Sequence, residues 1–228
     1  MKQIVLLSFI ALLFASTTAQ AGIHGSYVHH CRLTPADNTP SYPGKSKIVP
    51  YNNLALPAGK SIFAPGQLIY ITARVYDRDC VPLKDAKVEV WQADANGKFV
   101  SPGKGAFSNP SALFAGSGMA MTDNEGEFGI VSIFPGPYTI YYNKQKRIRA
   151  PHISMRITQE YLKRPYNVEM YFEGDARNED DPYFLRYKPE ARPLIEATVR
   201  QRDDNDINAG LQVYFDITLP EKDPFRFH

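Results

Sequence analysis

The chain has 228 residues, 43% hydrophobic and 22% charged, with 26 basic against 24 acidic side chains and a net charge of +2. Charge so nearly balanced, and dispersed along the chain, gives no reason to expect nucleic acid or an anionic membrane surface as a partner. The length suits one domain with a sizeable core.

Residues 1–21 read as an export signal. Lys2 supplies the positive charge, residues 4–14 an apolar run, and Ala19-Gln20-Ala21 a small-x-small cleavage site. The run is shorter than the roughly 20 residues of a membrane span. No stable membrane insertion is therefore expected after cleavage, and the expected location is periplasmic or extracellular. A mature chain would begin Gly22-Ile23-His24, with His29 and His30 nearby. A free amine with a histidine in third place can wrap Cu(II) or Ni(II) in a square plane. The alternative is an incidental histidine in a mobile arm.

Residues 22–65 are rich in Pro, Ser and Asn and are expected to form an irregular N-terminal arm. Cys31 and Cys80 are the only cysteines. In an exported chain they point to one disulfide, the other reading being two separate buried thiols. From residue 66 to 228, turn residues recur between short runs rich in Val, Ile, Tyr and Phe. That rhythm predicts an all-β sandwich or barrel. Residues 67–76 (QLIYITARVY) alternate, as do residues 86–93 (AKVEVWQA). Residues 126–134, 150–157, 168–172 and 210–219 complete the predicted strand set. Residues 99–119 read as a long Gly/Ser/Pro loop, and loops of that length are functional or disordered. The best helical signal is residues 189–200 (PEARPLIEATVR), which Pro193 limits to the first turn or so.

Taken alone, Tyr138, Arg149 and His152 carry little. A single histidine in a strand is more often a hydrogen-bonded structural residue than a ligand, and a tyrosine after Gly-Pro usually ends a loop. Several segments in order change that. They are Cys31-Arg32-Leu33-Thr34-Pro35, residues 88–99 (VEVWQADANGKF), Met121-Thr122-Asp123-Asn124-Glu125-Gly126 and Phe134-Pro135-Gly136-Pro137-Tyr138. Arg149-Ala150-Pro151-His152-Ile153-Ser154, Met170-Tyr171-Phe172-Glu173-Gly174-Asp175 and Tyr214-Phe215-Asp216-Ile217 follow. Together, over about residues 31–219, the chain resembles the intradiol ring-cleavage dioxygenases, the family of protocatechuate 3,4-dioxygenase and catechol 1,2-dioxygenase.

The resemblance implies a β-sandwich with long loops and at most one short helix, and a ferric ion held by two tyrosines and two histidines. Hard phenolate oxygens suit Fe(III). The family's iron binds both oxygens of a catechol, whose ring then opens with O2 to a diacid, and one dissociable tyrosine accepts a substrate proton. Tyr138 falls on the retained tyrosine ligand, His152 on the first histidine, and Arg149 on the arginine that faces substrate and stabilises negative charge. Phe99 stands where the dissociable tyrosine is expected and Ser154 where the second histidine is expected. Ser154 should share a face with His152, since strand side chains alternate. Glu169 replaces a glutamine near substrate. It would either serve as a substitute ligand with Tyr138 and His152 or pair with Arg149 and fill the site, and the second is preferred.

Two functional readings follow. One is an exported family member with a degraded ferric site, acting by binding a small aromatic ligand or a partner. The other is an Fe(III)-dependent dioxygenase acting on catechol-type diols with an altered metal shell. A homo-oligomer, or assembly with a secreted active relative, is compatible with either.

Overall fold

A computed structural model describes residues 31–38, 48, 50–99, 113–203, 205, 206 and 209–220. The expected export signal, the expected metal motif at Gly22-Ile23-His24 and residues 100–112 of the expected loop lie outside the described residues. The alternation of the first predicted strand appears directly in its packing. β1 (Leu68–Tyr76) turns Ile69, Ile71, Ala73 and Val75 into the core and Tyr70, Thr72 and Arg74 away from it.

The further strands are β2 (Lys87–Trp91), β3 (Ser117–Met121), β4 (Glu127–Ile133), β5 (Tyr138–Tyr142) and β6 (Gln145–Arg149), then β7 (His152–Thr158), β8 (Tyr166–Phe172), β9 (Glu196–Gln201) and β10 (Leu211–Thr218). Eight of them form one sheet in the order β3-β2-β7-β8-β9-β10-β1-β4, while β5 and β6 pair only with each other. The edge strands β3 and β4 pack together, so the sheet curls until it nearly closes. Its two halves then face one another as a sandwich. Val88, Val90, Ile153, Met155 and Met170 from one half meet Ile69, Ile71, Ile130, Val213 and Phe215 from the other in one continuous core.

β9 joins the halves. Its first residues pair parallel with β8 (Tyr171↔Glu196, Phe172↔Ala197), and its later ones antiparallel with β10 (Thr198↔Tyr214, Val199↔Val213). The helical signal at 189–200 is confined to its start, as Pro193 implies. A 3-10 turn covers Pro189–Leu194 and stops, and strand follows. Pro193 withholds a helical N–H, and the branched Thr198 and Val199 find a complete ladder waiting on β10. Two other short 3-10 segments, Ala176–Asp180 and Phe184–Arg186, accompany that turn, and no long helix occurs among the described residues.

Three further boundaries differ from expectation. The end of the long loop is strand β3, hidden in the sequence by Gly118 and weak alternation. Gly118 is needed there because a Cβ would meet Tyr51 O at 2.6 Å. β7 begins at His152 rather than residue 150, because Pro151 has no N–H and the Ala150 amide is taken by Asp181. The hairpin β5–β6 was not foreseen. It turns through Asn143 and Lys144, both at positive φ (50° and 64°), which suits a tight hairpin turn.

Cys31 and Cys80 form a disulfide with Cα atoms 5.2 Å apart. The arm is pinned beyond it by Thr34 N to Thr218 O (3.1 Å), Thr218 N to Thr34 Oγ1 (2.9 Å) and Asp37 N to Asn167 O (2.8 Å). Residues 31–38 thus run along the outside of β10 and β8 toward the region described next.

Candidate active site

Two interlocked turns start the site. The Asp94 carboxylate accepts hydrogen bonds from the Asn96 and Lys98 amides, each at 2.9 Å, and its carbonyl accepts from the Gly136 amide at 2.8 Å. Gly97 sits at φ +73°, and a Cβ on it would collide with the carbonyl of Pro137. One on Gly136 would collide with that of Ala95. The backbones therefore touch, and this contact brings half-buried Phe99 edge-on to Tyr138, ring centroids 4.9 Å apart.

The hairpin and the sheet supply the rest. Tyr138 and Arg149 are directly opposed at the base of β5–β6. On β7, Ile153 and Met155 enter the core, so His152 and Ser154 share the outer face. Ser154 lies in register between Trp91 on β2 and Glu169 on β8, and His152 opposite Tyr171. The segments at 176–194 cover this face with a small apolar cluster of Ala150, Tyr171, Phe184 and Ile195. Tyr138, Arg149, His152, Ser154, Glu169 and Phe99 are thereby brought to one place, whereas Cys31 and Cys80 serve the arm. Tyr141, farther along the same hairpin, points to solvent at 81% exposure.

His152 is buried, and its Nδ1 lies 2.7 Å from the Ala150 carbonyl. That contact requires the proton on Nδ1, so Nε2 carries the lone pair and accepts from the Tyr138 hydroxyl at 3.4 Å. Burial first, then the charge of Arg149, push the imidazole down to about 3, so it is neutral at physiological pH. Burial raises the phenols of Tyr138 and Tyr171, so both keep their protons.

Arg149 is 1% exposed, and every edge of its guanidinium is used. Nε donates to both Asp181 oxygens (2.9 and 3.1 Å), and Nη2 to Glu169 Oε2 (2.8 Å) and Tyr171 Oη (3.0 Å). Nη1 reaches Tyr138 Oη at 3.4 Å. The Tyr183 ring lies 4.1 Å from its Cζ. Burial works against this charge, but Glu169 and the surrounding oxygens outweigh it and raise the pKa further. Glu169 Oε2 also accepts from the Tyr171 hydroxyl at 2.8 Å, and Oε1 lies 3.8 Å from His152 Nε2. Beside Glu169 opens a cleft of about 250 Å³, bounded by Pro35, Asp37 and Asn38 of the arm and by Tyr183, Arg186 and Tyr187.

Asp181, Tyr171 and Tyr183 were missed from the sequence. Tyr171 had a signal, since it shares a strand face with Glu169. Asp181 had none, being one acid among several in 173–182.

A curled eight-stranded β-sandwich with tyrosine, histidine and arginine converging on one outer face defines the class. The chain belongs to the intradiol dioxygenase family: the family model described as "Dioxygenase" matches residues 40–221. It is similar to the protocatechuate 3,4-dioxygenase beta chain of Burkholderia cepacia, 32% identical over 158 residues, covering 69% of this chain and 66% of that one. The alpha chain from Pseudomonas putida is 29% identical over 127 residues, covering 56% and 57%. The chain thus spans just under two thirds of the first relative and little more than half of the second.

Among solved structures, 3-chlorocatechol 1,2-dioxygenase from Rhodococcus opacus 1CP superposes with a TM-score of 0.61 at 18% identity, over 86% of this chain and 74% of that one. The dioxygenase domain of a dioxygenase carbohydrate-binding protein fusion from Streptomyces sp. SirexAA-E gives 0.60 at 24% identity, over 83% and 99%. At these identities the likeness is one of fold.

The family's ferric ion can be tested against the donors present. Tyr138 Oη and His152 Nε2, 3.4 Å apart, are spaced as two ligands of one ion would be. The remainder does not fit. Phe99 offers no donor, Ser154 offers only a neutral hydroxyl, and Glu169 is held by Arg149 and Tyr171. Among the described residues no group of three or more His, Cys, Asp or Glu is arranged to hold a metal.

Proposed function

We propose that this is an exported intradiol dioxygenase-family protein that does not carry out ordinary ferric catechol cleavage, and that it acts by binding a small aromatic ligand through the cleft beside Glu169. The observation that supports this most is the buried pairing of Arg149 with Asp181 and Glu169. The resemblance implies an arginine facing substrate, but here Asp181, Glu169 and Tyr171 take up its donors. With Phe99 and Ser154 at two ligand positions, neither the family's dissociable tyrosine base nor its second imidazole is available.

Binding has a stage of its own. Arg186 stacks over Tyr183 at 4.0 Å and over Tyr142 at 5.4 Å, giving a flat polar-aromatic wall on which a ring can lie. Glu169, on the cleft lining, can accept from a ligand hydroxyl. The names of the relatives, alpha and beta chains, point to assembly from more than one chain. For an exported protein the partner would be a second copy or an exported active relative.

The test is the metal content and visible spectrum of mature protein grown with iron. The expected result is colourless protein with far less than one iron per chain, and no oxygen uptake with catechol. Coloured, iron-loaded protein consuming oxygen would overturn the proposal in favour of an Fe(III)-dependent dioxygenase of catechol-type diols with an altered shell, a reading supported by the Tyr138–His152 spacing. Phe99→Tyr with Ser154→His should create or strengthen iron binding, because Phe99 lies against Tyr138 and Ser154 shares the strand face of His152. The intact mass of the secreted protein, expected to begin at Gly22, tests export.

A further inference from the structure

The strands of the hairpin β5–β6 pair only with each other, outside the main sheet. Opposed residues share a face, so Tyr138/Arg149, Ile140/Arg147 and Tyr142/Gln145 form one side and Thr139/Ile148 and Tyr141/Lys146 the other. The first side is anchored to the site by Tyr138 and Arg149, and by Tyr142 against Tyr183 at 5.6 Å. The second is presented to solvent. It carries Tyr141 at 81% and Ile148 at 53% exposure, diagonal neighbours across the strands.

Cations surround this pair. Lys144 at the tip, Lys146 and Arg147 are all exposed, and no acid occurs anywhere from residue 128 to 159. The chain as a whole is almost neutral, so the folded hairpin concentrates a charge that the composition conceals. The acidic segment at 176–180 packs beside β6, and Asp180 there offsets part of that charge. Glu179 is engaged by Arg192, and the neighbouring Asp175 by Arg177. The turn at Asn143 and Lys144 is tight, which holds the tip in one shape.

We propose that the outward face and tip of β5–β6 dock onto an anionic lipid surface. Tyr141 brings an amphipathic ring suited to the headgroup level, Ile148 an apolar contact beside it, and Lys146 on the same face with Lys144 at the tip the attraction to phosphate, while Arg147 adds exposed charge from the opposite face. A second copy presenting the same hairpin would bring like charges together. An acidic protein would use the cations but would not require the apolar pair. No helix among the described residues is long and apolar enough to cross a membrane, so the contact is peripheral.

The experiment is co-sedimentation of the full mature protein with phosphatidylcholine vesicles, with and without phosphatidylglycerol, at low and high salt. The expected result is at least about tenfold stronger binding to the anionic vesicles, weakened by salt. Tyr141→Ser with Ile148→Ser, and separately Lys144→Glu with Lys146→Glu, should each lower it about tenfold or more. All four side chains are exposed, so the melting temperature should not move. Absence of binding to anionic vesicles at low salt overturns the proposal, as does binding unchanged by the Tyr141/Ile148 pair. Polyglutamate is the control probe. If it binds through the lysines while vesicles do not bind, an acidic protein is the partner and the lipid proposal falls.

Discussion

Asp181 holds more of the site together than any residue named from the sequence. It is fully buried, and it accepts from Arg149 Nε, from the Ala150 amide at 2.8 Å and from the Tyr183 amide at 2.7 Å. Replacing it with alanine leaves Arg149 charged and half-paired in a dry environment, for an expected loss of about 3–5 kcal/mol in urea unfolding. Glu169→Gln should cost clearly less, since Arg149 keeps Asp181 and the amide still accepts from Tyr171. Equal losses would show that Glu169 and Asp181 share the burden. A second residue-scale prediction concerns acid. Burial works to raise the Glu89 carboxyl, but Arg156 at 2.7 Å, and then Lys87, outweigh it and hold the group below the ordinary carboxylate range. A carboxylate so depressed stabilises the fold above its unfolded-state pKa, and that contribution disappears as pH falls through the folded value. Arg156→Met should therefore flatten the decline of the urea midpoint between about pH 5 and pH 3.

At the scale of elements, what was legible depended on how local the signal was. β1 and β2 were readable because alternation with period two is written in neighbouring residues. β3 and β9 were not, because Gly118 and the Pro193-interrupted segment have weak preferences of their own. They become strands only when β2 and β10 offer partners. The hairpin β5–β6 escaped for a related reason: it has no fully buried core face, so Tyr138, Ile140 and Tyr142 are only half-buried and the apolar Tyr141 and Ile148 fall on the opposite side. The interlocked turns at Gly97 and Gly136 are the reverse case, a motif whose reason is visible only in the fold. Gly136→Ala must push two backbones apart, with an expected cost of about 1–3 kcal/mol and a displacement of Phe99 from Tyr138. Placed in the Phe99→Tyr/Ser154→His background, it should also diminish whatever iron binding that pair gains, as read by metal analysis.

For the whole molecule, the disulfide and the arm connect the ends of the chain to the site. Cys31–Cys80 closes a loop of sequence separation 49. Its removal by Cys31→Ala with Cys80→Ala should lower stability by up to about 4 kcal/mol. Limited proteolysis should then cut the arm near residues 31–38 before the sandwich, because only a few hydrogen bonds, such as those of Thr34 and Asp37, still hold it. The sequence by itself determined the family and which side chains stand where the resemblance expects metal ligands, while the fold chose the disulfide over two separate thiols. Phe99 cannot ligate, and Ser154 brings no nitrogen, whatever the fold does. Those are properties of side-chain chemistry and of motif order, both readable along the chain. Only the tertiary structure decided what became of Arg149. Its partners Glu169 and Asp181 lie 20 and 32 residues away in the chain. A buried ion pair between such residues depends on which segments cover the sheet, and no local pattern encodes that.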